Sequence, residues 1–390
     1  MAKQIYLDNS STTFPKAPGV SEAVRFFMDE VVCNINRGGY ENAYQAATVV
    51  IETRALLARM FHAESARNIV FTSGATQALN MIVKGLLHSG DHVLVSSMEH
   101  NAMMRPLVHM ERYGITFSRI PGDEAGQLSL AAVERMIQPN TKAIMVQHAS
   151  NICGALTPLI ELGAVARAYQ LFFITDAAQT AGVFDLDMQA MGLDAIVFTG
   201  HKGLLGPQGT GGIALSNRLA ESMEPLMDGG TGSLSDKEET PGFLPDKFEP
   251  GTMNIPGIYG LHAALMYLDK TGIASLRTHE QRMSRRLYDG LRSCPGTHIP
   301  GPADFSKRAG IVSVDFCGYD NGEIATFLSE KHGVFTRCGL HCAPNAHKTL
   351  GTFPQGMVRF SPGFRTTETD VDEALDAVYT ALSQNVGLLR

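Results

Sequence analysis

The chain has no run of basic residues, no apolar stretch long enough to span a bilayer, and no paired spacing among its cysteines. Each absence excludes something. With 32 basic against 39 acidic residues and a net charge of −7, it offers no electrostatic footprint for a nucleic-acid partner. No segment approaches the roughly 20 apolar residues of a membrane span, and residues 1–8 carry no signal-like apolar core, so a cytoplasmic protein away from membranes is expected. Its six cysteines (Cys33, Cys153, Cys294, Cys317, Cys338 and Cys342) are scattered except for the last two. That pattern suits reduced thiols rather than a secreted disulfide framework. Cys338, His341, Cys342 and His347 do not supply the four paired ligands of a structural zinc site, so no metal is expected. Internal repeats and low-complexity segments are absent too.

What is present suits an α/β enzyme. At 390 residues and 44% hydrophobic content the chain can form a large domain plus a smaller one. Short apolar runs rich in Val, Ile and Phe at 68–71, 92–96, 115–120, 143–147, 171–175, 195–198 and 212–215 read as strands. Helical patterns at 75–87, 129–137 and 159–169 lie between them, which predicts a mostly parallel central sheet flanked by helices. The Gly- and Pro-rich stretch 228–256 reads as a long loop. A helix at 258–269 then leads into a smaller α+β domain that ends in a helix at 370–382, with Thr367 and Thr369 as candidate caps. The expected division is 15–257 for the large domain, with 1–14 and 258–390 forming the small one.

In such sheets a ligand lies beyond the carboxyl ends of the strands, and several polar groups fall there. Lys202 follows the strand 195–198, where desolvation favours the neutral, nucleophilic amine able to form a Schiff base; the alternative is a surface lysine in a glycine turn. Thr72-Ser73-Gly74-Ala75-Thr76 joins a strand to a helix, so its N–H groups and hydroxyl suit a phosphate, unless Ser73 is merely a helix cap. Asp176 ends the strand 171–175 and suits a protonated ring nitrogen, or caps the next helix. His100 suits ring stacking or proton transfer, or is a structural histidine.

The order of these elements resembles the pyridoxal phosphate enzymes of fold type I, and among them the class V aminotransferase superfamily. The blocks that carry it are residues 71–80, Met98-Glu-His-Asn-Ala102, His148-Ala-Ser-Asn-Ile-Cys-Gly154, Asp176-Ala-Ala-Gln179 and Thr199-Gly-His-Lys202. The resemblance implies pyridoxal 5'-phosphate on Lys202, with Asp176 at the ring nitrogen, Gln179 at the ring hydroxyl and His100 on the ring face. It places the Ala75 N–H, Thr76, Thr199 and His201 at the phosphate. Thr252 would be contributed by a partner subunit, implying a homodimer with shared active sites.

Arg337-Cys-Gly-Leu-His-Cys-Ala343 resembles the motif of the cysteine desulfurase and selenocysteine lyase family. That implies L-cysteine or L-selenocysteine as substrate, Cys342 as the nucleophile that takes the chalcogen, and a possible sulfur-acceptor protein. His341 is expected to act as the cation that lowers the thiol pKa. Arg359, helped by Asn151, is expected to bind the substrate carboxylate. The alternatives are a selenocysteine lyase, or an aminotransferase or β-lyase in which Cys342 is a bystander. Three departures stand out: Ser10-Ser11 where the family opening has Ala-Ala, Arg37-Gly38-Gly39-Tyr40 and Asn101 where a histidine is common, and Cys338 at a position usually without a thiol.

Overall fold

The computed structural model describes residues 4–35 and 38–389. The N-terminal segment contributes a short strand, β1 (Ile5–Tyr6). The central sheet follows, from β2 (Ile69–Thr72), β3 (His92–Ser96), β4 (Thr116–Ile120), β5 (Thr141–Gln147), β6 (Phe172–Asp176), β7 (Ala195–Thr199) and β8 (Gly211–Leu215). Their order across the sheet is β2-β8-β7-β6-β5-β3-β4, and every pairing is parallel except those made by β8. Each expected strand is present within two residues at either end.

Alternation along these strands serves two cores at once. Leu94, Ile144, Val146, Phe173 and Ile196 face one layer of helices, while Val93, Val95, Met145, Ile174 and Val197 face the other. Both faces are therefore covered, which is why the strands read as continuous apolar runs. The connecting helices include Ala75–Leu86, Leu130–Met136 and Leu159–Ala168, as the periodicity predicts.

The stretch 228–256 holds, up to residue 254, only turns and one short helical turn, Asp246–Phe248, and its last two residues open helix Ile255–Thr271. It is nonetheless tied down. The Glu249 carboxylate accepts from Arg54 Nη1 at 2.8 Å, from Arg54 Nη2 at 2.5 Å and from the Phe71 N–H at 2.6 Å, with both side chains less than one-tenth exposed. Removing one partner strands the other charge in the interior. Glu249→Ala is accordingly expected to cost about 3–5 kcal/mol, read as a lower urea midpoint. An unchanged midpoint would mean that this pair does not anchor the loop.

The smaller unit is an antiparallel sheet of β9 (Thr297–His298), β10 (Val312–Phe316), β12 (Arg337–Gly339) and β13 (Met357–Phe360), in the order β12-β13-β10-β9. β11 (Val334–Phe335) pairs in parallel with β1, which docks the N-terminal segment beside it. Helices Ile273–Arg292, Asn321–His332 and Glu368–Ser383 flank the sheet. Thr367 caps the last of these: its Oγ1 accepts from the Asp370 N–H while the Asp370 carboxylate accepts from the Thr367 N–H. Thr369 lies inside the first turn instead. Helix Ile255–Thr271 buries Leu261, Ala264, Leu265 and Leu268 in the core under the central sheet and ends at Gly272. On packing grounds we place the seam between the two units at Gly272 rather than after residue 257.

Candidate active site

The carboxyl ends of β2, β3, β5, β6 and β7 all open on one edge of the central sheet, because β8 reverses direction between β7 and β2. A cavity of about 380 Å³ lies there, within the range of small-ligand sites. Nine of the expected residues line it: Ala75, Thr76, His100, Asn151, Asp176, Gln179, Thr199, His201 and Lys202.

One end is built to receive an anion. Helix Ala75–Leu86 starts after Gly74 with no side-chain cap, so its first amides remain available to a ligand. The alternative of a Ser73 cap does not hold. Gly74 has φ 152°, a backbone conformation that strains any residue with a Cβ, and a Cβ on Gly211 would lie 2.5 Å from the Gly74 Cα, so Gly211 has no room for a side chain. Thr199 stands 3.5 Å from where a Gly74 Cβ would be, and the buried His201 Nδ1 has no partner among the described residues. Burial pushes the His201 imidazole down to about 4, so it offers a neutral ring.

The other end carries the acid and the amine. Asp176 is buried at the last position of β6, and its Oδ1 accepts from the Ala178 N–H at 2.9 Å, so it caps the following turn and still faces the cavity. Burial raises its pKa, opposed by that hydrogen bond and by Lys202. The Lys202 side chain keeps some exposure to the cavity, but the protein around it desolvates the ammonium and lowers its pKa to about 8; Asp176 pulls the other way. A useful fraction of neutral amine is therefore present near neutrality. His100 Nδ1 accepts from the Ala102 N–H at 3.0 Å, which places the ring proton on Nε2. Burial and nearby cations lower its pKa to about 4, leaving an uncharged ring. Gln179 Nε2 donates to the Ser10 carbonyl at 3.2 Å.

These groups fit the expected cofactor. Uncapped helix amides and an unpartnered buried imidazole suit a phosphate, while a buried carboxylate suits a ring nitrogen and a desolvated amine suits a carbonyl.

Arg359 and Cys342 lie outside the lining, near its wall. Arg359 is 1% exposed and donates to the Asn151 carbonyl (3.1 Å), Asp8 Oδ1 (2.9 Å) and Ser11 Oγ (2.7 Å), while its Nε has no partner among the described residues. Cys342 is exposed on the loop after β12, and its carbonyl accepts from the Asn101 N–H at 2.8 Å. Asn101 follows His100, and Asn151 Nδ2 donates to the neighbouring His341 carbonyl at 2.8 Å, so two residues of the cavity edge pin the cysteine loop.

The expected role of His341 is corrected. It is 2% exposed, its Nε2 meets the Arg337 carbonyl at 3.0 Å, and burial with nearby Arg359 pushes its pKa down to about 3. A neutral buried imidazole supplies no positive charge. The cation beside Cys342 is Arg337, with Nη2 3.7 Å from Sγ. Cys338 alternates with Arg337 along β12 and packs against the core of the smaller unit, where burial raises its thiol pKa. Thr252 is exposed, accepts from Asn34 Nδ2 at 3.3 Å and does not line this cavity. Arg37 lies outside the described residues.

Sequence reasoning assigned no role to Asp8, Ser11, Arg337 or Glu99. Glu99, which precedes His100, is buried, accepts from Ser96 Oγ and the Gln147 N–H, and has its pKa raised to about 8 by burial. Of these, Arg337 opens the cysteine motif, Ser11 stands at a departure from the family opening, and Glu99 falls in the Met98–Ala102 block, but none of these signals named a role.

Comparisons with known proteins bear on the family and the fold. The family model described as aminotransferase class-V matches residues 5–374. A probable cysteine desulfurase of Methanothermobacter thermautotrophicus is 33% identical over 94% of this chain and 92% of its own. The solved apo structure of a cysteine desulfurase from Thermococcus onnurineus NA1 is similar with a TM-score of 0.91 at 29% identity, covering 98% of this chain and 95% of that one. A cysteine desulfurase from Escherichia coli in its S-sulfonic acid form gives 0.88 at 28% identity, covering 98% and 95%.

Proposed function

Because the chain belongs to the class V aminotransferase family, whose members depend on pyridoxal 5'-phosphate, we propose that it is a cysteine desulfurase. In this reading it converts L-cysteine to L-alanine and leaves the sulfur as a persulfide on Cys342. Two things support the choice within the family: the names of the relatives, and an exposed thiol beside a guanidinium at the cavity wall.

The cofactor would be held by the Ala75 N–H, Thr76, Thr199 and His201 at its phosphate, by Asp176 at the ring nitrogen, by Gln179 at the ring hydroxyl, and by His100 on the ring face, with Lys202 at its carbonyl. When bound it supplies an electron sink that weakens the substrate Cα–H bond. The other steps belong to protein side chains. Arg359 and Asn151 orient the substrate carboxylate, for which the guanidinium fork is suited. The neutral Lys202 amine takes the proton from Cα. The Cys342 sulfur, beside the Arg337 guanidinium, attacks the substrate sulfur as its proton leaves; an S–S bond forms as the Cβ–S bond breaks, its electron pair stays with the carbon skeleton, and proton uptake there completes alanine.

Thr252, in this proposal, reaches the site of a partner subunit in a homodimer, and an acceptor protein or small thiol removes the persulfide sulfur. No helix among the described residues is long and apolar enough to cross a membrane.

Mass spectrometry tests the proposal. After incubation with L-cysteine and no reductant, the Cys342 peptide should carry one added sulfur and the solution an equivalent of L-alanine. Alanine from L-selenocysteine but none from L-cysteine would overturn the assignment.

A further inference from the structure

Arg337 and Arg359 are direct cross-strand partners in the antiparallel pair β12–β13, so their side chains emerge on the same face. Like charges placed opposite each other destabilise a sheet unless something lies between them. Two groups do, and both come from the N-terminal segment. Ser11 Oγ accepts from Arg359 Nη2 at 2.7 Å and from Arg337 Nη1 at 3.3 Å, and donates its proton to Asp8 Oδ1 at 2.8 Å. Asp8 Oδ1 in turn accepts from Arg359 Nη2 at 2.9 Å. One hydroxyl thereby touches both guanidiniums and the carboxylate that offsets their charge.

The free end of Arg337 is the one that reaches Cys342 Sγ at 3.7 Å. Arg337 has no carboxylate partner among the described residues, so the Ser11 hydroxyl is its side-chain anchor on the side away from the thiol.

We propose that Ser11 is a positioning residue: its hydroxyl holds Arg337 against the Cys342 thiol and Arg359 against the cavity wall as one unit. This rests on the reading of Cys342 as nucleophile and of Arg359 as the carboxylate site. Ser11 also marks one of the departures from the resembled family, where the opening segment has alanines. The other charged or titratable groups facing the pair are Tyr6 from β1, Lys202 from the turn after β7, His100 from the segment after β3, and His341 from the cysteine loop. None of them forms a hydrogen bond with both arginines.

The holoenzyme without substrate provides the test. The rate of Cys342 alkylation by iodoacetamide at one fixed pH, read by peptide mass mapping, is compared for the wild type, Ser11→Ala and Ser11→Thr. Loss of the hydroxyl frees Arg337 from its place 3.7 Å from Sγ, and that rate should fall about threefold. The KM for L-cysteine should rise several-fold in the same variant as Arg359 loses a partner. Ser11→Thr, which keeps the hydroxyl, should restore both. An alanine variant whose alkylation rate matches the wild type overturns the proposal, and so does a slowing that threonine fails to restore. Alkylation needs no turnover, so failure here strikes Ser11 alone, whereas wild-type protein that yields no alanine from L-cysteine strikes the proposed function.

Discussion

Lys202→Ala is expected to lower alanine formation from L-cysteine by about four orders of magnitude. In the proposed function the effect is large because one amine both anchors the cofactor and removes the substrate proton. Its neutral form is the reactive one, and the pKa of about 8 makes that form accessible. Lys202→Arg retains positive charge but stays protonated throughout the working range, so it should fall as far as alanine does. An arginine variant that kept substantial activity would show that charge at this position matters more than proton transfer.

The same substitution makes an independent prediction about stability. The folded pKa of about 8 lies below the ordinary value of 10.5, so between those two values the unfolded chain still binds a proton that the folded chain has lost. Stability of the apo-protein therefore rises with pH across that window. Burying the ammonium costs the wild type most below about pH 8, and nothing once both states are neutral. Lys202→Ala lacks that cost, so its urea midpoint should exceed the wild-type midpoint at low pH, and the two should converge on approaching 10.5. A gap independent of pH would mean that the amine is solvated in the folded protein.

Cys342→Ala should be nearly as damaging to turnover, by about a thousandfold or more, for a different reason. The cofactor site stays intact, so the visible absorption of the bound cofactor is unchanged and substrate still enters. What is lost, in the proposed function, is the atom that receives sulfur. Stability should move by no more than about 0.5 kcal/mol, because the side chain is exposed and its truncation leaves no cavity. Full release of alanine from L-cysteine by this variant would sink the persulfide mechanism and leave a lyase in which the thiol is a bystander.

The sheet and the cofactor end were readable for a shared reason. A strand buried on both faces is a continuous apolar run, and polar residues just past its end must face the cavity edge; Asp176, His100 and Lys202 all sit at such positions. The reversal of β8 was not readable, because a five-residue apolar strand looks the same in either direction. Helix Glu41–Phe61 escaped notice because Tyr44 and Ile51, among its large apolar side chains, are exposed and blur the stripe. The network around Cys342 was hidden more deeply. Ser11 and Arg337 are 326 residues apart, and the docking of the N-terminal segment on β11 and beside Ser361 brings them together. The assignment of a cation to His341 failed because burial decides whether an imidazole is charged, and the local motif says nothing about burial.

The backbone of the cysteine loop carries a cost of its own. His341 and Cys342 both adopt left-handed conformations, at φ 49° and 59°, in a region where glycine is at ease and a residue with a Cβ is strained by about 1–3 kcal/mol. Two consecutive residues of this kind form a segment that selection for stability alone would fill with glycine. Engineering this protein for heat resistance by Gly-scanning would therefore score position 342 as an improvement and delete the thiol on which the proposed function rests, an instance of the general trade between ruggedness and activity.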